Sequence, residues 1–331
     1  MRDLYLHVSE VLEKVDFDGI WKGFTPYDFA LYDHETVYFK DRQIPWDDRF
    51  LGNTAREIDG VLTALWHVDD PASTDIDLLA SGLVHEMFHA FQTQQGESRN
   101  IDEFALFAYP HDLDNCQLKM AENHYLFKAF AENSLTDFEQ FVVLRCARRR
   151  IIGDAMEQEL NAETVEGMAE YVGLMALNQL SRHKFISEIE NHMTRMRSPE
   201  NMLEVRGAAY STGAMLCCAM ASLNIDFYHQ LTESRTLFEI AQSLLHENAI
   251  AKCFNEAKEA LQRKFDDFWR DNREKVVRNA AITGFDPMNM VRLGDQFLCY
   301  RFVMLDGEYI EGPVLLQMEE GALRQVTAYF K

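Results

Sequence analysis

The chain has 331 residues, of which 47% are hydrophobic, a composition that suits a folded protein with one large core or two smaller ones. Its 54 acidic and 32 basic residues give a formal net charge of −22, which disfavours binding to nucleic acid and to anionic membranes. The sequence contains no apolar run of about 18 residues, and its first residues are charged where a signal peptide would be apolar. We therefore expect a cytoplasmic protein.

The cysteines and the one basic run are expected to have structural roles only. The six cysteines form no CxxC pair and lie mostly in apolar helical surroundings, so we expect reduced core thiols. They are Cys116, Cys146, Cys217, Cys218, Cys253 and Cys299. The basic run, Arg148 to Arg150, ends a helical pattern and is expected to complement the negative end of that helix.

In chain order, residues 24–68 contain short aromatic and β-branched runs at 27–32, 36–40 and 61–68, which predict a small mixed sheet. From residue 74 to about 272 the hydrophobic spacing is mostly helical. After Pro287 three stretches are strand-like, at 296–305, 309–317 and 323–330, and Asp306-Gly307 is a strong hairpin signal. A carboxy-terminal antiparallel module is therefore predicted.

These elements predict an α+β fold with a large, mainly helical body. We expect a sheet subdomain at 1–72, the helical body at 73–280 and a short β module at 281–331. The sequence has no internal repeat and no flexible linker, so the three parts are expected to pack as one unit.

Residues 73–96 predict one long helix. Thr74 and Asp77 have capping-box-like spacing at its start, and Gly96 is suited to its end. One face is apolar and should meet a core, with Ile76, Leu79, Leu83, Met87 and Ala90. The opposite face holds Ser81, His85, His89 and Gln92, and two residues four apart lie on the same side of a helix.

The sequence HEMFH at residues 85–89 matches the HExxH pattern, in which two histidines bind zinc and the glutamate acts on metal-bound water. The alternative is that both histidines are core residues with satisfied hydrogen bonds and that Glu86 lies on a solvated face. The longer pattern HExxHxxGxxH is absent, because Gln92 and Gln95 occupy its next two positions. A third zinc ligand must therefore come from elsewhere in the chain.

A second predicted helix, residues 154–180, offers this ligand. One of its faces is acidic, with Glu159, Glu163, Glu166 and Glu170. Like charges at this spacing destabilise a helix by a few tenths of a kcal/mol per pair unless solvent or a cation compensates. The face is either solvated or neutralised by zinc. Small and apolar neighbours of Glu166 and Glu170 favour a buried helix crossing: Gly167, Met168, Ala169, Val172 and Gly173.

The two helices resemble those of the gluzincins, the thermolysin-like and aminopeptidase N-like zinc peptidases, which pair an HExxH helix with a glutamate from a later helix. The resemblance implies a zincin-like helical body and one zinc ion per chain held by His85, His89 and Glu166, with Glu86 as the general base. It also implies that Glu170 orients a zinc-bound imidazole, with Glu163 as a further supporting carboxylate. The long step from His89 to Glu166 implies an inserted helical segment at about 116–150.

Residues 210–214, YSTGA, resemble the Tyr-x-x-Gly segment of the aminopeptidase N-like enzymes. This resemblance implies that the Tyr210 hydroxyl stabilises an oxyanion, and the alternative is that Tyr210 packs at the start of an apolar helix at 208–221. Arg206 is a nearby cation. The Gly-x-Met-Glu-Asn motif by which those aminopeptidases recognise a free amine is missing, which argues against strict aminopeptidase activity.

The sequence thus predicts a zinc metallopeptidase that acts on a peptide or protein substrate and binds neither nucleic acid nor a membrane. A strand at 36–40 or 61–68 is expected to hold the substrate by edge pairing. Two alternatives stay open: a zinc hydrolase acting on an ester, a non-peptide amide or an epoxide, and a non-catalytic regulatory or scaffold protein. A scaffold would have no need of Glu86. The sequence does not indicate an oligomeric state.

Overall fold

The computed structural model describes residues 1–229, 235–243, 249–271, 273–319 and 324–331, with 249–256 described for the backbone only. The chain forms two compact units, Met1–Leu245 and His246–Lys331. An amino-terminal mixed sheet, a helical body and a carboxy-terminal antiparallel sheet confirm the predicted α+β class. The finer division at residues 72 and 280 stays a prediction.

The first unit begins with two short helices and a five-stranded sheet. These elements are α1 (Arg2–Leu12), α2 (Phe17–Ile20), β1 (Asp28–Tyr32), β2 (Thr36–Tyr38), β3 (Gln43–Pro45), β4 (Thr54–Ile58) and β5 (Val61–His67). The strand order is β3-β2-β1-β5-β4, and β1 pairs with β5 in parallel. The predicted mixed sheet is confirmed in its β1, β2 and β5 strands.

The two edges of this sheet are β3 and β4, which were not expected from the sequence. Both strands are short, and both expose polar side chains, as edge strands commonly do. The stretches at 36–40 and 61–68 form β2 and β5 and are paired on both sides. The expectation that one of them offers a free edge is therefore wrong, because polar edge strands cover both.

The helical body follows the sheet. Its elements are α3 (Ile76–Gln94), α4 (Glu103–Phe107), α5 (Leu113–Ala131), α6 (Leu135–Ile152), α7 (Ala155–Leu180), α8 (Arg182–Arg197), α9 (Pro199–Leu203), α10 (Val205–Ser222) and α11 (Leu237–Ser243). The predicted helices at 73–96 and 154–180 are α3 and α7, and the inserted segment is α5 and α6. The apolar face of α3 is buried in the main core, as expected.

The start of α3 differs from the expected capping box. Asp75 is the N-cap, and its carboxylate accepts hydrogen bonds from the backbone N–H groups of Asp77 and Leu78 at 3.0 and 3.2 Å. The Thr74 hydroxyl instead donates to the carbonyl oxygen of Asp70 at 2.7 Å. The helix ends as predicted, because Gly96 adopts a left-handed backbone conformation with φ of 85°.

Glycines allow α7 to pack closely against both α3 and α10. A Cβ atom on Gly167 would lie 2.4 Å from the Cα atom of Gly213 in α10, so the two backbones touch there. On the other side of α7, the Ser81 hydroxyl of α3 donates to the carbonyl oxygen of Gly173 at 2.9 Å. These two crossings fix how α7 presents its acidic side chains.

The second unit contains α12 (Ala249–Trp269) and a seven-stranded antiparallel sheet. Its strands are β6 (Lys275–Phe285), β7 (Met290–Leu293), β8 (Gln296–Cys299), β9 (Phe302–Leu305), β10 (Glu308–Glu311), β11 (Val314–Met318) and β12 (Gln325–Phe330), in the order β10-β9-β6-β12-β11-β8-β7. Asp306 and Gly307, both with positive φ, join β9 to β10 as the predicted hairpin. Strand β6 was not expected, because its centre is rich in residues with low strand propensity. The predicted stretch at 323–330 begins outside the described residues, at Leu323.

The cysteine side chains that the structure describes are free thiols. Cys217, Cys218 and Cys299 are buried, whereas Cys116 and Cys146 are partly exposed. The side chain of Cys253 lies outside the described residues. Within the described ranges no helix has the length and apolar character needed to cross a membrane.

Candidate metal centre

Helices α3 and α7 bring His85, His89 and Glu166 together in the interior of the first unit. The two Nε2 atoms of the histidines are 3.1 Å apart. The Oε2 atom of Glu166 lies 3.2 Å from the Nε2 atom of His89 and 3.7 Å from that of His85. Ligand atoms bound at 2.0–2.1 Å to a tetrahedral zinc ion are about 3.3 Å from one another. The three side chains therefore have the spacing of ligands to one ion.

Each imidazole is oriented by a hydrogen bond at its other nitrogen. The Nδ1–H group of His85 donates to Glu170 Oε2 at 2.9 Å, because a carboxylate can only accept. The Nδ1–H group of His89 donates to Gln92 Oε1 at 2.8 Å. The amide of Gln92 is itself oriented by a bond from its Nε2 atom to the carbonyl oxygen of Val165 at 2.9 Å. In the neutral imidazoles, which are the form that binds a metal ion, both Nε2 atoms are thereby left with a lone pair.

These two lone pairs converge with the Oε2 atom of Glu166, which is buried and has no hydrogen-bond donor among the described residues. Burial alone would raise the pKa of Glu166, but His85 and His89 hold it well below its usual range. Burial lowers the pKa of His85, but Glu166 and Glu170 outweigh this effect and raise it to about 10. Either a proton on His85 or a bound cation can supply the positive charge at this point, and two histidines with one carboxylate could hold a zinc ion.

The second carboxylate oxygen of Glu166 is held by Arg206. The Nη2 atom of Arg206 donates to Glu166 Oε1 at 2.7 Å. One oxygen is thus committed to the guanidinium and the other faces the histidines. Sequence analysis singled out Arg206 only as a nearby cation, and the structure gives it this definite contact.

A cleft of about 360 Å³ opens beside His85. Its lining includes His85, Glu86, Glu170 and Tyr210, together with Trp66 of β5 and Asn53, which precedes β4. Glu86 is 6% exposed, and this burial raises the pKa of its carboxyl group. A carboxylate with a raised pKa is better suited to accept and return a proton near neutral pH.

Tyr210 lies against His85, one of the three residues that converge here. Its ring stacks on the ring of His85 with centroids 5.8 Å apart and planes 5° apart. Burial, followed by the charge of Glu166, raises the pKa of the Tyr210 hydroxyl well above its usual value. The hydroxyl therefore stays protonated and is available as a hydrogen-bond donor beside Glu166. The stacking shows that Tyr210 also has a packing role, so the two alternatives for this residue are compatible.

Glu163 lies away from this group, contrary to the expectation that it supports the metal ligands. Its carboxylate accepts hydrogen bonds from Arg145 Nη2 at 2.9 Å and from the Thr212 hydroxyl at 2.7 Å. Glu159 accepts from Arg148 Nη2 at 2.6 Å and also pairs with Lys119. The acidic face of α7 is therefore only partly available to zinc, because basic side chains from α5 and α6 neutralise its first half.

Arg148 also differs from the expectation that it complements the end of its helix. Its side chain is fully buried and bonds to Glu159, while the neighbouring Arg149 and Arg150 are exposed. Burial alone would raise the pKa of Glu159, but Arg148, Lys119 and Arg145 hold it well below its usual range. Arg148 is thus part of a buried ion network, and its position near a helix end is incidental.

His192 is a residue of this region that sequence analysis missed. Its Nε2 atom lies 3.1 Å from Glu170 Oε1, and its Nδ1 atom lies 3.0 Å from the hydroxyl oxygen of Ser211. The carboxylate that orients His85 is therefore itself held from α8 and α10. No local motif marks His192, because its two contacts join α8 to residues of α7 and α10 through the fold.

Comparison of the chain with family models, with curated proteins and with solved structures found no match in any of the three. The geometry of the site is thus the basis for a functional proposal.

Proposed function

We propose that this chain is a zinc-dependent hydrolase of the gluzincin kind, and specifically a peptidase with one catalytic zinc ion per chain. The observation that carries the proposal is the convergence of two imidazole lone pairs and one buried carboxylate oxygen on a single point. Without a metal ion, a proton held between the imidazoles and Glu166 would have to take its place, as the raised pKa of His85 indicates. His85, His89 and Glu166 would hold the ion.

Zinc, when bound, supplies a Lewis acid that activates water and polarises a substrate carbonyl. Glu86 accepts the proton of the attacking water and returns it to the leaving group, a role for which its buried position in the cleft suits it. Glu170 and Gln92 keep both histidines in the tautomer that presents Nε2. Arg206 keeps one oxygen of Glu166 occupied and the other directed at the histidines.

The peptidase assignment is supported by the position of strand β4. This strand is an edge of the first sheet, and Asn53, which precedes it, lines the same cleft as Glu86. An extended peptide can add to an exposed edge through backbone hydrogen bonds and place a carbonyl group in the cleft. A non-peptide substrate would gain nothing from this edge. With a net charge of −22 and free thiols, we propose that the enzyme acts in the cytoplasm and binds neither nucleic acid nor a membrane.

His89→Ala is expected to abolish zinc retention, because two ligands hold zinc far more weakly than three. After dialysis against a weak chelator, the parent protein should retain about one zinc ion per chain and His89→Ala almost none. His183→Ala, which removes an exposed histidine of α8, is the matched control and should retain zinc as the parent does. Metal analysis of the three purified proteins is the measurement, and a parent protein without zinc would contradict the proposal.

Tyr210→Phe is expected to lower kcat by about 10²–10³-fold with little change in KM, because it removes one donor to the developing oxyanion. The phenylalanine ring can keep the stacking on His85, so zinc content should be unchanged. Tyr228→Phe is the matched control, since the hydroxyl of Tyr228 contacts Tyr171 at 2.6 Å. Steady-state kinetics with a peptide that the parent protein cleaves measure the effect. An unchanged kcat would mean that Tyr210 has only a packing role.

A further inference from the structure

A second group of metal-ligand side chains lies at one end of the amino-terminal sheet. Strands β1 and β5 are parallel neighbours, and Tyr32 at the end of β1 is paired with His67 at the end of β5. His34 and Asp69 follow two residues beyond these partners. Because parallel strands end at the same side of a sheet, His34, His67 and Asp69 come together there.

The spacing of this group suits one ion. One ligand atom from each of the three residues lies within 4.8 Å of the other two. The Nδ1 atom of His67 is 3.7 Å from Asp69 Oδ1, which is too long for a hydrogen bond and close to the separation of two ligands on one ion. The rings of His34 and His67 are 4.7 Å apart between centroids and tilted by 49°.

An unsatisfied polar atom gives independent support. The Nε2 atom of His67 is buried and has no hydrogen-bond partner in the part of the chain that the structure describes. A bound cation would offset the free-energy cost of this buried nitrogen only if Nε2, and not the Nδ1 atom that faces Asp69, is the ligand from His67. His67 is otherwise well held, since its backbone N–H donates to Asn53 Oδ1 at 2.9 Å and its ring packs on Tyr32.

The turn that carries His34 is fixed before any ion binds. The Asp33 carboxylate accepts hydrogen bonds from the backbone N–H groups of Glu35 and Thr36, both at 2.8 Å. His34 is thereby held on a turn between Asp33 and Glu35, and Asp69 lies close to its ring, so these three carboxylates favour a cation over an anion.

We propose that His34, His67 and Asp69 form a second site for a divalent transition metal such as zinc, separate from the His85–His89–Glu166 centre. Three protein ligands leave at least one position open, toward a cavity of about 590 Å³ lined by Trp46, Phe50 and Asn53. His34 and Asp69 are exposed, so this site binds zinc more weakly than the buried centre. Asn53 and Trp66 line both this cavity and the cleft beside Glu86, so the ion would also order one wall of that cleft.

The test is a zinc titration of the metal-free full-length chain against a chromophoric chelator. The parent protein should bind about two equivalents of zinc, one tightly and one more weakly. His34→Ala and Asp69→Asn should each weaken the second equivalent by about tenfold or more and leave the first unchanged. Both positions are exposed, so these variants should fold as the parent does.

Two further proteins separate this site from the buried centre. His89→Ala should lose the tight equivalent and keep the weak one, and His183→Ala should keep both. His34→Ala and Asp69→Asn variants that titrate as the parent does, or a parent protein whose single equivalent is lost in His89→Ala, would overturn the second site. A parent protein whose single equivalent is lost in His34→Ala would instead overturn the buried centre, so the two proposals fail independently.

Discussion

Glu86→Gln is expected to lower kcat for peptide hydrolysis by about 10²–10⁴-fold while zinc content stays at the parent level. The amide has nearly the shape of the carboxylate but cannot accept a proton from water. Glu86 lies between the two histidines in the sequence and lines the cleft with His85 and Tyr210, so its replacement should leave the metal ligands in place. The measurements are turnover of a peptide library and metal analysis of the same preparation.

Glu190→Gln is the matched control for this prediction, since it makes the same chemical change at an exposed position of α8. It should retain both turnover and zinc. If Glu86→Gln cleaved peptides as fast as the parent protein, the catalytic role of Glu86 would be wrong even with zinc bound. If the parent protein bound zinc and hydrolysed esters or non-peptide amides but cleaved no peptide, it would be a zinc hydrolase of non-peptide substrates and not a peptidase.

The pair of helices could be predicted from the sequence because the information is local. The spacing of His85 and His89 places both on one face of α3, and the small residues beside Glu166 indicate a close helix crossing. Neither inference requires knowledge of which elements surround the site. The α+β class could be predicted for the same reason, since aromatic and β-branched runs and helical spacing are both read within short windows.

The side-chain contacts that the sequence did not predict depend on how the helices are rotated against one another. Glu163 and Glu166 are three residues apart on α7, yet Glu163 bonds to Arg145 while Glu166 faces the histidines. Helical spacing places both residues on one face of α7, but it does not show which other helix packs against each of them. The contacts of Arg206 and His192 are of the same kind, because they join residues that are distant in the sequence.

The edges of the sheet were missed for a different reason. Strand β4 is short and carries charged side chains, so its sequence does not stand out from a loop. Its place beside β5 is known only from the pairing in the folded sheet. The sequence favoured the apolar strands at 36–40 and 61–68 as the peptide-binding edge. The proposed function instead uses β4, a polar strand at the border of the cleft.

The helix that supplies Glu166 and Glu170 is braced by the inserted segment α5 and α6 through a buried ion network. The network contains three acidic and three basic side chains and is therefore neutral: Glu122, Glu159, Glu163, Lys119, Arg145 and Arg148. Arg145 is fully buried at its centre, and it bonds to Glu122 at 2.8 Å and to Glu163 at 2.9 Å. Burial lowers the pKa of Arg145, but the surrounding carboxylates outweigh this effect and raise it above its usual value.

Arg145→Met is expected to lower the free energy of unfolding by about 3–5 kcal/mol, because it leaves the carboxylates of Glu122 and Glu163 buried without their main partner. This is a large share of the roughly 5–15 kcal/mol that holds an ordinary domain folded. Urea denaturation followed by circular dichroism measures the difference. Arg150→Met, an exposed position of the same helix, is the matched control and should change the value by less than about 0.5 kcal/mol.

The triple replacement of Arg145, Glu122 and Glu163 by Met, Gln and Gln tests the cause of this loss. If unpaired buried charge is responsible, removing both carboxylates together with the guanidinium should recover part of the lost stability, since neutral amides cost less to bury than anions. If lost side-chain packing were the only cause, the triple variant would be no more stable than Arg145→Met. An Arg145→Met protein as stable as Arg150→Met would mean that the network does not brace α7, and the fixed position of Glu166 would then rest on the glycine crossings with α3 and α10.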